Sequence, residues 1–366
     1  MLLNRTQKGF SLIELMISLT LGLLISAAVM QVYLTSIKTS SVQSGGTDIL
    51  EASIFGIQNI EKSIRLSNLG MADSNNPFTP LAGVVMTSDT SLVSASQTDK
   101  SKNNMNGIKM GGTVTSAGTD AIDAKYLTKS GIAASNITGL TSSQLTIQYE
   151  APQDMYDCEG TLVRGPIEIE RDGRLELIPG QVIVQRYYLR EVAQNDKSNY
   201  ESNIKSYELR CDAGRYVKEI LNSAELDLQK INDSTILKES RNIRDFGDVG
   251  EVVIPRVDYF GVLLGVEVVE PLTSSVTLRY FTPEQYMSYL KGLATDSTIT
   301  TDIISVKLSV LVRADRPLTG ETGASNFIIF GEPKTLSTYT SKAFIRRVYE
   351  SNIMLRNSRA IKESSI

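Results

Sequence analysis

Histidine is absent from the 366 residues, and cysteine occurs only twice. The first absence removes Ser-His-Asp and Cys-His nucleophile systems and histidine-ligated zinc. The second removes any four-cysteine metal site within one chain. A Walker-type phosphate loop is also missing: Gly45-Gly46 and Gly111-Gly112 lack the G-x-x-x-x-G-K-[ST] spacing. Among 41 acidic residues carboxylate pairs are inevitable, but no pair is singled out. Lys and Arg are scattered, and the net charge is −4, which argues against a nucleic-acid ligand held on a basic face. These exclusions read as a protein that is no enzyme and needs no cofactor or metal.

Hydrophobic content of 41% is enough for a packed core in one large domain or two ordinary ones. The informative stretch is the first, MLLNRTQKGFSLIELMISLTLGLL. Between Phe10 and Ile37 the only charge is Glu14, and residues 15–37 carry none. As a helix that charge-free run is about 35 Å long, sufficient to span a bilayer. Arg5 and Lys8 precede it, so the positive-inside bias keeps the first nine residues cytoplasmic and exports the rest. A cleaved secretory signal fits poorly. Its small-residue site would be Ser26-Ala27-Ala28, yet apolar character continues through Val29, Val32, Tyr33, Leu34 and Ile37. A plain anchor explains the length but not Gly9-Phe10 or Glu14, because a carboxylate in hydrocarbon costs roughly 2.5–3.5 kcal/mol.

The segment from Lys8 to Leu19, KGFSLIELMISL, resembles the class III signal of the type IV pilin superfamily. The resemblance implies that a prepilin peptidase cuts after Gly9 and methylates the new amino terminus, Phe10. It implies a helix kept first as membrane anchor and then as filament core. Phe10 and Glu14 are four apart and so are expected on one helical face. Glu14 of one subunit could then meet the Phe10 amine of a neighbour and set assembly register, as one buried polar residue does in a coiled coil.

Beyond the apolar run, Ile49, Ile54, Ile57, Ile60, Ile64 and Leu66 recur at helical spacing among charged residues. This predicts an amphipathic continuation to about Asn68, loosened at Gly45-Gly46, with an exit loop from Met71 to Pro80. The expected divisions are a leader (1–9), a transmembrane and filament-core helix (10–37), its amphipathic continuation (38–69) and an exported β-rich head (70–366). Within the head, residues 87–143 are rich in Ser, Thr, Asn, Asp and Gly and read as a surface loop with one short strand over residues 118–126.

From Gln144 onward the pattern is one of strands: 145–149, a hairpin turning at Asp172-Gly173, then 182–192, 207–210, 252–269, 276–281, 303–312 and 343–355. Helical character intrudes at 224–239 and at 283–290, where Pro283 suits a first turn. The expected fold class is α+β, with the long helix packed on an antiparallel sheet. In an exported chain Cys158 and Cys211 most simply form one disulfide, two free buried thiols being the alternative.

Two late segments, DIISVKLSVLVRADRP (302–317) and FIRRVYESNIMLRN (344–357), resemble signatures of the PilW family of minor pilins. YDCEG and LRC fit the same family's cysteine pair. The resemblance implies a subunit that joins other minor pilins and the major pilin at the inner-membrane assembly platform. It also implies a head in the periplasm and later at the cell surface, at a fibre tip beside an adhesin-like partner, serving twitching, adhesion or DNA uptake. Two alternatives share the N-terminal chemistry: a GspJ-like pseudopilin of type II secretion, and a pilus subunit that binds DNA directly. Removal of the leader leaves 35 basic against 41 acidic residues, about −6, which weakens the DNA reading.

Overall fold

A computed structural model of the chain describes residues 9–89, 91, 102–111, 120–171, 174–219, 240–293, 298–318, 322–338, 340 and 343–358. Residues 1–8, the proposed helix at 224–239 and the turn residues Asp172 and Gly173 lie outside the described residues.

Helix α1 runs unbroken over Leu12–Leu66, 55 residues and about 83 Å at helical rise. From Gly9 to Ser40 every residue is exposed. After that a stripe of buried positions appears at Gly45, Ile49, Gly56, Ile60 and Ile64, separated by one or two helical turns. The expected loosening at Gly45-Gly46 does not occur, because Gly45 is a packing position. A Cβ there would touch Ala314 Cβ and Ile345 Cδ1, each at 3.4 Å. The helix stops at Ser67, which is extended, and Asn68, at φ 68°. Asn68 is also a hub: its Oδ1 accepts from Gly83 N (2.8 Å), and its Nδ2 donates to Ala72 O (2.7 Å) and Asn357 O (2.6 Å).

Nine main strands build two antiparallel sheets. The first is a meander whose spatial order follows the chain: β1 (Lys129–Ala133), β2 (Ser142–Glu150), β3 (Val182–Glu191), β4 (Tyr207–Tyr216) and β5 (Glu251–Ile254). The second comprises β6 (Val257–Glu270), β7 (Ser275–Phe281), β8 (Thr300–Pro317) and β9 (Phe344–Met354), in the order β7-β6-β8-β9. Alternation had suggested one long strand over 252–269. The chain instead breaks at Pro255-Arg256, where Arg256 takes φ 55°. That turn passes the chain from one sheet to the other, and Arg313 N donates to the Arg256 carbonyl at 2.9 Å. The strands Ile167–Arg171 and Arg174–Ile178 pair antiparallel as expected, with Arg171 opposite Arg174.

The amphipathic half of α1 packs on β8, β9 and β5, so the sheet it covers is mainly the second one. Ile49, Ile60 and Ile64 share one apolar cluster with Val306, Leu308, Val310 and Val312 of β8 and with Leu145, Ile147 and Tyr187 of the first sheet. A short helix, α2 (Pro283–Gly292), begins with a capping box between Thr282 and Gln285 and Pro283 in its first turn. It seats Tyr286 in the core, with its hydroxyl 2.8 Å from Thr301 Oγ1.

Residues 87–143 are more than a surface loop. Met105, Ile108, Ile122, Tyr126 and Leu127 form a second core with Val182, Val184, Tyr216 and Ile243, on the face of β3 opposite the main cluster. Among the described residues, the expected strand over 118–126 is only Asp120–Ala121, followed by a turn of 3-10 helix at Ala124–Tyr126. Five apolar side chains dispersed among Ser, Thr and Asn carry no period, so composition concealed them. The polar neighbours are buried because they are bonded. Asn104 Oδ1 accepts from Met86 N (2.8 Å) and Thr87 N (3.2 Å), and its Nδ2 donates to Asn76 O (2.8 Å) and Thr79 O (3.0 Å).

Candidate functional site

The amino-terminal face is built from local chemistry. Ser11 caps α1 in an extended conformation, and Leu15 N donates to its carbonyl at 3.1 Å. Glu14 stands in the first turn, where the helix dipole favours an anion. Gly9 and Phe10 precede the helix, and Phe10 is 79% exposed. The one-face relation expected of Phe10 and Glu14 therefore does not exist in the uncut chain, because the helix begins two residues later. Arg5 and Lys8 lie outside the described residues.

Four hydroxyls of the apolar half bond back to the helix's own carbonyls. Ser18 Oγ donates to Glu14 O (2.8 Å), Thr20 to Ile17 O (2.9 Å), Ser26 to Gly22 O (2.8 Å) and Thr35 to Gln31 O (2.9 Å). Such back-bonding adds no orphan donor to a hydrocarbon surrounding. The Glu14 carboxylate is thus the one charge that such a surrounding would have to accommodate.

Cys158 and Cys211 form the disulfide, with a Cα–Cα distance of 6.2 Å. It ties the segment after β2 to the middle of β4, and Asp157 shapes the approach by accepting from Glu159 N and Thr161 N, both at 2.9 Å. Beside it lies a group that sequence reasoning missed. Glu159, Asp212 and Asp248 bring carboxylate oxygens within 4.8 Å of one another, a spacing that could hold a cation. The protein already supplies one: Arg186 reaches Asp212 at 2.6 Å, and Gly247 N donates to the same carboxylate at 3.0 Å. Burial pushes Glu159 up to about 7, reinforced by Asp248, Asp212 and Asp157 and opposed by the Ala213 N–H. No sequence signal could have found this cluster, since its members are brought together by the disulfide and by the turn at Gly247.

The two late signature segments meet in space. Arg313 of β8 lies opposite Arg346 of β9, and Asp258 of β6 sits between them. Arg346 Nε is 2.6 Å from Asp258 Oδ2, and Arg313 Nε is 3.6 Å from Oδ1, with all three side chains fully buried. Arg313 Nη2 also donates to Glu201 Oε1 (2.5 Å) and Ser206 Oγ (2.9 Å), and Asn136 Nδ2 donates to Asp258 Oδ1 (2.6 Å). Burial pulls Glu201 upward, but Arg313 and the hydrogen bonds outweigh it and hold the carboxyl below its usual range. Two like charges side by side in a core are tolerable only with such acceptors. The network fastens the loop between β3 and β4 to the second sheet. Arg313 and Arg346 are structural.

An apolar helix bare over its first half, one carboxylate in its first turn, and an antiparallel head on its second half make an α+β, pilin-like fold. The prokaryotic N-terminal methylation motif matches residues 4–30, and the family described as Type IV Pilus-assembly protein W matches residues 228–357. The two matches, one toward each end and together covering less than half of the chain, support a type IV minor pilin of the PilW type. A solved type IV-like pilin from Thermus thermophilus shares 12% identity, over 62% of this chain and 82% of its own. Its TM-score of 0.23 is too low for the likeness to bear on function. No curated protein matches the chain.

Proposed function

We propose that this chain is a minor pilin that enters a type IV pilus after cleavage between Gly9 and Phe10. Prepilin peptidase hydrolyses that peptide bond, freeing the Phe10 amine, which is then methylated. α1 holds the subunit in the inner membrane with its head in the periplasm and later packs among the helices of other pilins at the assembly platform. Glu14 pairs with the Phe10 amine of a neighbour and sets the register. The observation that carries this reading is the bare apolar half of α1: a surface of that kind requires hydrocarbon or other apolar helices around it.

The head occupies the 300 residues after α1. A head so bulky is easier to place at a tip, or in a small priming complex, than thousands of times along a shaft. Adhesion, twitching or DNA uptake would then be properties of the finished fibre. An in-frame deletion, scored for sheared surface pili, twitching and secreted protein, tests the proposal. Loss of pili with normal secretion is the expected result. Normal pili with lost secretion would move the protein to the pseudopilins. Glu14→Ala should process normally at Gly9 yet fail to enter fibres, and normal incorporation would sink the register role.

A further inference from the structure

The base of the head, where α1 leaves it, has a composition that the pilin reading leaves unused. Tyr200, Arg316 and Leu318 overhang the helix there and line, against Ser36, Ile37 and Ser40, a cleft of about 700 Å3. Tyr200 is 54% exposed and the Arg316 side chain 73%. The helix residues opposite them straddle the end of the charge-free run at Ile37. If that run, about 35 Å long, fills a hydrocarbon core about 30 Å thick, its end reaches the headgroup layer. Tyr200 and Arg316 are carried to the same depth by the fold.

From this geometry we infer that Tyr200, Arg316 and Leu318 form a footprint for phospholipid headgroups, seating the head on the bilayer that holds α1. The inference rests on the reading that α1 spans a membrane before assembly. Tyrosine suits that layer because its ring is apolar and its hydroxyl is wet, and a guanidinium binds phosphate oxygens in a planar fork. Asp48 lines the same cleft, and Asp315 lies 4.0 Å from Arg316, so the base carries both signs. Phospholipid headgroups present a phosphate and, in many cases, an ammonium, and so match a mixed surface. The footprint is held rigidly. Tyr200 directly precedes Glu201, which accepts from Ser198 Oγ at 3.1 Å and from the buried Arg313 at 2.5 Å. This gives the costly buried pair a use: it fixes the height of an exposed tyrosine. Drawing the subunit out of the bilayer would break the contact.

The chain has no tryptophan, so one introduced residue reports alone. Three full-length variants are placed in phosphatidylethanolamine–phosphatidylglycerol vesicles containing lipid brominated high on its acyl chain. Leu23→Trp probes the spanning helix, Tyr200→Trp the base, and Leu272→Trp a turn between β6 and β7 that is 90% exposed. Tyr200→Trp should show blue-shifted emission and quenching of roughly twofold, as expected at the interface, while Leu272→Trp stays unquenched. Adding Arg316→Glu to Tyr200→Trp should abolish most of that quenching, which guards against tryptophan seeking the interface by itself. Quenching at Leu23→Trp with water-like emission at Tyr200→Trp overturns the footprint alone. Absence of quenching at Leu23→Trp overturns the membrane-spanning reading and the footprint with it.

Discussion

Gly56 of α1 lies directly against Ile254 of β5. A Cβ at position 56 would stand 2.3 Å from Ile254 Cγ1 and 2.8 Å from the Val253 carbonyl oxygen. The helix can approach the end of the first sheet this closely only because residue 56 has no side chain. Gly46, ten residues earlier, would meet nothing within 4 Å.

The two glycines should therefore respond oppositely to one substitution. Gly46→Ala should stabilise by about 0.5–1 kcal/mol, the ordinary helix-propensity gain. Gly56→Ala has the same propensity gain but must push α1 off β5, and should lose about 1–3 kcal/mol as an overpacked contact does. Thermal unfolding of the two variants checks the signs, and a stabilised Gly56→Ala would refute the close approach.

Removing the anion between the two buried arginines should be far more damaging than a surface change. Asp258→Ala leaves Arg313 and Arg346 side by side without their shared partner, and a broken buried pair costs about 3–5 kcal/mol. Urea unfolding should show the loss in midpoint. Arg347→Ala on the same strand as Arg346, exposed and outside this network, provides the comparison and should change little.

The disulfide closes a loop with a sequence separation of 53 residues. On the chain-entropy view its loss costs roughly 4 kcal/mol before any strain is counted. Cys211→Ser, and reduction of the native chain, should lower the denaturation midpoint to a similar extent. Alkylation of the unfolded, unreduced protein followed by mass measurement should find no free thiol.

Glu159 gives the head a pH dependence of definite sign. Its folded value of about 7 is above the 4.5 of a free glutamate, so the folded state holds the proton more tightly. Its contribution is present in full below about 4.5 and is lost as pH rises through 7. Glu159→Gln should flatten the decline in stability between pH 5 and pH 8. An unchanged slope would show that Glu159 does not carry it.

Some elements were legible because their signals are local. The apolar run, Glu14, the Pro283 helix start and the Asp-Gly hairpin each follow from residues within a few positions of one another. The segment 252–269 misled because alternation continues across Pro255-Arg256 although the sheet changes. Residues 87–143 misled because a polar composition hid the five side chains they give to the second core, which carry no period.

The sequence by itself determined an apolar helix bearing one carboxylate, a β-rich head, and the two cysteines that could pair. Each of those depends on chain-local periodicity, charge or residue count. Only the tertiary structure decided that the head has two main sheets and that its apolar side chains divide among three clusters in the described residues. It also decided that Arg313, Arg346 and Asp258 meet, that Glu159 lies among other carboxylates beside the disulfide, and that Tyr200 hangs beside Ile37. Those relationships join residues tens to hundreds of positions apart, and their physical basis is burial, which no local pattern encodes.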